Sequence, residues 1–489
     1  MQLSFPKNER TLVFLLLAVY LLIRFPLLNF LPLVKDEGLY AVMSEEQAIA
    51  PTTIPAFLGY PVSWKPAPFF WLHSLMSDLP LPMEVAYRLP SFLCGLLTVP
   101  ILFRLFRNIG ASPNVSFFST LVFLLSMASI YPDAAFLTDA MNFLFISASL
   151  LLYTEKGLGR WRFLAAGALA FCAFFVKLVI GFMVPLLAVA FFFSRDRKIL
   201  KDPLFLFSLL AVPAAFLLHY SILDSAGLAK QLYESDIGGH MMSSEGLGDQ
   251  MTTVIGSVSI FFLGAGLWFA LSLFGFWKNW RADPFMAFWF AMTLFPILTG
   301  NFMIWYYLPV MPAIAYFCTS ILINWEGRER IDAFFWIFFC LISLVSLGIV
   351  SYYYVSLYET YQPEREAGLL LAGKDDVCII GNWMPGVAAY KVLTEMREGG
   401  GAKDFGWVTA SRWMNASEVQ SYLADYHSEP TDDITEGSFT GFFSKKGAFR
   451  KPTGISHFRY IAITGNFSAD IPNSTLVYNE SFIQIFEVD

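Results

Sequence analysis

Long apolar stretches separated by short polar ones set the first expectation for this chain. Runs of roughly the length that crosses a bilayer's hydrocarbon core lie near 11–31, 85–103, 114–132, 137–153, 162–176, 178–194, 203–222, 252–276, 284–299, 304–323 and 331–355. They predict about eleven membrane-spanning helices. The first begins too early, runs too long and lacks a small-residue cleavage site, so it reads as a retained anchor and not as a removable signal peptide. After residue 358 the pattern changes. Val377–Gly381 is a short apolar run followed by helical periodicity over 387–397, and Tyr460–Thr464 and 482–488 read as strands. The expectation is a helical membrane domain over 1–358, with outer-face loops 32–84 and 223–251, and a small soluble α/β domain over 359–489. Loops in that second domain are expected at 399–401 and 428–438.

Composition agrees with the pattern. At 489 residues, 56% hydrophobic and only 15% charged, the chain carries more apolar surface than a soluble fold of this size buries. Charge then sets orientation. With the N-terminus cytoplasmic, the inner loops hold fifteen Lys and Arg and the outer loops before the tail only Lys35, Lys65, Lys177 and Lys230, as the positive-inside rule requires. An odd number of spans puts the tail on the extracytoplasmic side. Residues 359–489 hold 18 Asp and Glu against 11 Lys and Arg, which accounts for the whole net charge of −7. Four of the five cysteines lie in spans and only Cys378 in the tail, so a disulfide framework or thiolate metal cluster has no basis there.

The polar exceptions carry the candidate chemistry. On this topology Asp36, Glu37, Lys65, Asp139 and Lys177 fall at the same outer boundary from four separate places in the chain. Ionisable groups at membrane depth cost about 2.5–3.5 kcal/mol each on insertion scales, so they face a cavity or one another. On a helix beginning at Asp36 the adjacent carboxylates point about 100° apart, so the two need not share one role: one can be a base and the other a structural ligand. Asp36 and Tyr40 share a face. Ser44, Glu45 and Glu46 continue a polar stripe that reads as the wet side of an interfacial helix. The segment "GYPVSWKPAPFFWL" at 59–72 holds Lys65 in a proline-studded turn, where it suits an anionic head group such as a phosphate. Arg88 is either a belt anchor or a second cation for that group. Asp139 opens a span in "FLTDAMNFLF", where it or Thr138 can also serve as a helix cap. Lys177 interrupts "FCAFFVKLVIGFMV" and needs an anionic partner, a protein carboxylate or a ligand phosphate. His240, in the loop 223–251, lacks a second His or Cys at ligand spacing and stands as a minor binding candidate beside the plainer reading of a solvated loop residue. Nucleotide-binding, redox and serine-hydrolase motifs are absent, and nothing points to nucleic acid.

Taken in order, these segments resemble the GT-C class of integral-membrane glycosyltransferases, and within it the aminoarabinose transferase and protein O-mannosyltransferase group. "DEGLYAVMSEEQ" is similar to that family's acidic opening after the first span. "IPAFLGYPVSWKPAPFFWL" is similar to its stretch ending in Lys-Pro-Pro, and "YRLPSFLCGLLTVP", "LTDAMNF", "FFVKLVIGFMVP" and "YYLPVMPAIAYF" follow in family order over about 24–320. The resemblance implies a GT-C fold with an extracytoplasmic C-terminal domain, a polyprenyl-phosphate-linked sugar donor, and a protein, lipid or glycan acceptor at the outer membrane face. It implies Asp36 as the leading catalytic carboxylate, Lys65 and Lys177 as holders of the donor phosphate, and Asp139 as a supporting acid. Three positions depart from the pattern: Leu39 stands where the family has Arg, Trp64 where an acid often precedes Lys-Pro, and Ala67 where it has the second Pro. Trp64 counts against a metal site of the family's type, and a divalent metal ion is left open as cofactor. The candidate site is Asp36, Glu37 and Asp139 as catalytic carboxylates, with Lys65, Arg88, Lys177, Tyr40 and His240 as substrate-binding groups. The rival reading is a transporter or flippase for a lipid-linked saccharide, which calls for paired halves with interrupted helices; the sequence shows no such repeat.

Overall fold

The computed structural model describes residues 8–34, 36–63, 65–77, 79–232, 267–294, 304–324, 333–381, 386–398, 406–409, 449–450, 459–464, 474–480 and 483–488. His240, Trp64 and the loops expected at 399–401 and 428–438 lie outside the described residues. In chain order the helices are α1 (Glu9–Arg24), α2 (Asp36–Ile49), α3 (Pro68–Ser77), α4 (Met83–Asn108), α5 (Pro113–Leu125), α6 (Met127–Ala134), α7 (Thr138–Thr154) and α8 (Arg162–Lys177). There follow α9 (Met183–Arg195), α10 (Pro203–Leu209), α11 (Ala211–Ser225), α12 (Leu267–Asn279), α13 (Pro284–Ala291), α14 (Met311–Asn324), α15 (Ala333–Leu371) and α16 (Gly386–Arg397), with a single helical turn at Ala229–Leu232. By packing, the chain divides into two units. One comprises Met1–Leu28, Trp64–Phe69 and Arg88–Tyr353; the other comprises Asn29–Ser63, Phe70–Tyr87 and Tyr354–Asp489.

The first unit is helical. Several of its helices start by one local device: Ser112, Asp202 and Asp283 accept backbone N–H groups two or three residues ahead, while Pro113, Pro203 and Pro284 take the first helical position, where a missing N–H costs nothing. Among the described residues four helices are long and apolar enough to cross a membrane: Glu9–Asn29, Met83–Asn108, Pro203–Ser225 and Ile337–Leu371. A fifth arises if α5 and α6, bent by 64° at Ser126, are one broken span. Other expected spans form as shorter helices, such as α7 with 17 residues and α8 with 16. Phenylalanine does much of the packing: Phe163, Phe192 and Phe205 meet edge to face beside Tyr153, a geometry that aromatic quadrupoles favour.

The second unit holds a hairpin and a sheet. Strands β1 (Ala56–Phe57) and β2 (Tyr60–Pro61) pair antiparallel around Leu58 and Gly59, both at positive φ (53° and 81°). That is the tight two-residue turn whose twist matches the strands, so the proline-studded segment read from residue 59 begins inside a hairpin. The sheet contains β3 (Val377–Gly381), β4 (Gly406–Thr409), β5 (Phe449–Arg450), β6 (Tyr460–Thr464), β7 (Ser474–Glu480) and β8 (Ile483–Val488), in the order β5-β4-β3-β6-β8-β7. β3 runs parallel to both β4 and β6, and β8 runs antiparallel to β6 and β7. The all-apolar start of β3, with Val377, Cys378 and Ile379 fully buried, is what a central parallel strand demands. Burial pushes the Cys378 thiol up, so it is an inert core residue.

Candidate functional site

In the first unit the chain breaks its helix at a lysine. α8 ends at Lys177, Leu178 takes an unusual backbone conformation (φ 7°, ψ −102°), and residues Leu178–Phe182 continue as a tighter 3-10 turn. Gly181 makes the turn feasible, because a Cβ there would lie 2.9 Å from the Phe174 backbone. The break leaves the Lys177 ammonium, 8% exposed, donating to Asp139 Oδ1 at 2.5 Å. Asp139 lies in the first turn of α7, whose N-cap is Leu137 without a side-chain bond. The capping role open to Asp139 in the sequence is therefore not the one it takes. Its carboxylate answers a lysine instead, while the helix dipole still favours a negative charge in that turn. Asn142, one turn further along α7, donates to the Ala173 carbonyl at 2.7 Å and fixes α7 against α8. The segment Ile304–Val310 packs on both α6 and α7, and the Lys177 ammonium lies 4.2 Å from the centre of the Tyr306 ring. A carboxylate on one side and a π face on another hold the cation in place.

A second buried pair in this unit escaped the sequence reading. Arg24, fully buried at the end of α1, has its Nε 3.5 Å from Asp133 Oδ2 and donates through Nη2 to Ser129 Oγ at 2.9 Å. Its guanidinium also lies 5.1 Å from the Tyr20 ring centre. Gly95 makes room, since any Cβ there would collide with Tyr20 and Asp133. The signal was the one that exposed Lys177, a charge beside an apolar run, in "LLIRFPLL" and "SIYPDAAF". Arg88 is buried and donates to the Leu28 carbonyl at 3.0 Å, and Lys65 is half-buried in the bend ahead of α3.

The second unit holds Asp36, Glu37 and Tyr40. Asp36 opens α2 and is half-buried. Glu37 is fully buried, and its Oε2 accepts the Val34 N–H at 2.9 Å, so this carboxylate closes the turn that leads into the helix. Tyr40 meets Phe70 edge-on at 5.8 Å. Two of the three residues of the polar stripe that follows are not on a wet face: Ser44 and Glu45 are buried, Ser44 Oγ donates to the Tyr40 carbonyl, and the Tyr87 hydroxyl donates to the Glu45 carboxylate, while Glu46 is half-buried and accepts the Gly59 N–H. Amphipathic spacing shows that a face is polar, but a neighbouring tyrosine satisfies it as well as water does. No three His, Cys, Asp or Glu side chains gather into a metal-ligand set among the described residues.

Comparison with known proteins bears on this geometry. Residues 65–221 match the family described as dolichyl-phosphate-mannose-protein mannosyltransferase. The fold is similar to that of ArnT from Cupriavidus metallidurans bound to undecaprenyl phosphate, at a TM-score of 0.62 and 15% identity over 97% of each chain. It is also similar to the Archaeoglobus fulgidus oligosaccharyltransferase tethered to an acceptor peptide, at a TM-score of 0.53 and 10% identity over 93% of this chain and 68% of that one. An oligosaccharyltransferase structure from the same organism, described as a complex with Zn and sulfate, matches at a TM-score of 0.54 and 11% identity over 93% of this chain and 68% of that one. No curated protein matches the chain at a significant level by sequence. The resemblance to GT-C membrane glycosyltransferases holds, and the fold is theirs.

Proposed function

We propose that this chain, with the fold of the GT-C glycosyltransferases, moves a monosaccharide from a polyprenyl-phosphate donor to an acceptor at the outer membrane face. The reading includes about eleven spans, a cytoplasmic N-terminus and an extracytoplasmic domain over 359–489. Transfer from a lipid phosphate needs a carboxylate to take the acceptor's proton and cations to stabilise the departing phosphate. Asp36 takes the first role. Its carboxylate is half-buried at the head of α2, while its neighbour Glu37 is engaged with the Val34 backbone. Lys65 and Lys177 take the second, and Asp139 holds the Lys177 ammonium where a phosphate meets it. With one base and no covalent sugar–enzyme step, direct attack on the anomeric carbon inverts its configuration.

The observation that carries this reading is the buried Lys177–Asp139 pair at a helix break of a GT-C fold. Such a pair is costly in an apolar bundle, which makes it a functional-site candidate by default. The oligosaccharyltransferase complex with zinc raises the question of a metal, but the described side chains form no ligand set for one, and no step here runs through it. The matched proteins named above are transferases, so the transport alternative gains no support from them. The test uses the full chain in membranes with labelled polyprenyl-phosphate sugars, dolichyl-phosphate mannose and undecaprenyl-phosphate aminoarabinose among them. Asp36→Asn is expected to lose about 10²–10⁴-fold in transfer, the range of a general base. Full transfer by that variant, or movement of the lipid across the bilayer without transfer, contradicts the proposal.

A further inference from the structure

The helix that begins with Asp36 is fastened at both ends of its first turn to one helix of the C-terminal segment. Ahead of it, the Leu33 N–H donates to the Tyr390 hydroxyl at 2.6 Å. Behind it, Gly38 lies so close to α16 that an added Cβ would stand 2.9 Å from the Ala389 Cβ. Asp36 thus sits three residues after one anchor and two before the other, and both anchors are adjacent residues of α16. Tyr390 is itself held. It is fully buried, and its hydroxyl donates to Glu84 Oε1 at 3.0 Å, while Arg365 Nε donates to the same oxygen at 2.8 Å. The hydroxyl therefore accepts from the backbone that leads into Asp36 and gives its own proton to a carboxylate already neutralised by Arg365. A fully buried tyrosine bonded on both sides has one fixed position, and a buried network with its groups satisfied is rigid.

We propose that Tyr390 is a positioning residue for the Asp36 carboxylate, with the Gly38–Ala389 contact as its second support, so that the C-terminal segment sets the geometry of the reacting acid. This rests on the proposed glycosyl transfer. The hydroxyl touches neither substrate nor reacting atoms; it acts through the Leu33 backbone. A displacement of about 1 Å at a reacting group costs on the order of 10²-fold in rate, whereas the Lys177 ammonium is held by Asp139 and the Tyr306 ring, neither of them on α2. The two effects separate kinetically.

The test measures kcat and KM for labelled polyprenyl-phosphate sugar with the full chain in membranes, beside wild type and Asp36→Asn. Tyr390→Phe is expected to lower kcat by roughly 10- to 100-fold and to leave KM within about twofold, the signature of a lost transition-state alignment. Gly38→Ala is expected to lower kcat in the same manner, and adding Ala389→Gly is expected to restore it by returning the space. Wild-type kcat in Tyr390→Phe, with Asp36→Asn inactive, overturns the positioning role and leaves the transfer reading standing. Full activity of Asp36→Asn overturns the transfer reading itself. Where Tyr390→Phe fails to fold, the Gly38→Ala and Ala389→Gly pair decides: loss without rescue, or no loss, contradicts the proposal.

Discussion

Among the described residues, a buried lysine–carboxylate pair in each unit closes at nearly the same separation, and the two differ in how they are made. In the helical unit, Lys177 and Asp139 meet at 2.5 Å across two helices, 38 residues apart, at a point where α8 breaks and a tyrosine ring faces the ammonium. In the C-terminal segment, Lys391 and Glu395 meet at 2.6 Å within one unbroken helix, and Glu395 also accepts the Gly373 N–H at 2.9 Å. The second pair lies at the i,i+4 spacing that any helix brings together, and its acid ties the helix to the chain just after α15. The first is assembled by tertiary structure at a backbone irregularity. The second needs only helix geometry to form, whereas the first needs two helices and a break between them.

That contrast can be broken by mutation. Asp139→Leu alone removes the carboxylate that answers a buried ammonium and is expected to destabilise the helical unit by about 3–5 kcal/mol, visible as a lower thermal midpoint in detergent. Retention of the wild-type midpoint would mean that the pair carries little. Replacing both members of the other pair, Lys391→Met with Glu395→Leu, is expected to leave stability unchanged or raise it by up to about 4 kcal/mol, because a buried ion pair seldom outperforms apolar residues of its volume. Loss of folding in that variant would give the C-terminal pair a role beyond packing. Tyr306→Leu removes the π face beside Lys177 and is expected to cost about 0.5–2 kcal/mol, read from the thermal midpoint of the same preparation.

What the sequence revealed follows the same division. β3, β6, β8 and α16 appear where the apolar spacing puts them, because strand and helix periods are local. Lys177 was conspicuous as a charge in an apolar run, but its partner was not, since nothing in the spacing links residues 139 and 177. Arg24 lies inside the first predicted span and Asp133 just past another, but nothing in the spacing joins a residue at 24 to one at 133. The polar stripe at Ser44 and Glu45 misled because periodicity does not reveal that Tyr87 covers it. The Tyr390 anchor joins residues 357 apart and leaves no mark in either stretch.

The smallest expected effect lies at the half-buried Glu487, near the end of β8. Glu487 accepts from the Tyr460 hydroxyl and from Arg459, each at 3.0 Å, and these bonds hold its carboxyl below the usual range. A depressed carboxyl stabilises the fold above its unfolded pKa, and that contribution is lost as pH falls through the folded value. Glu487→Gln is therefore expected to lower the thermal midpoint slightly at pH 7, and by progressively less as pH falls below the ordinary carboxylate range. A shift that does not change with pH would assign the effect to packing.

The central claim is that the buried Lys177–Asp139 pair serves transfer and not the fold. Replacing Lys177 and Asp139 together by Met and Leu tests it most directly, with the full chain assayed in membranes for both thermal midpoint and transfer of a labelled polyprenyl-phosphate sugar. The account predicts a midpoint at or above wild type with transfer reduced by at least about 10²-fold, the scale set by losing a group that stabilises transition-state charge. Wild-type transfer from a folded double variant would contradict it.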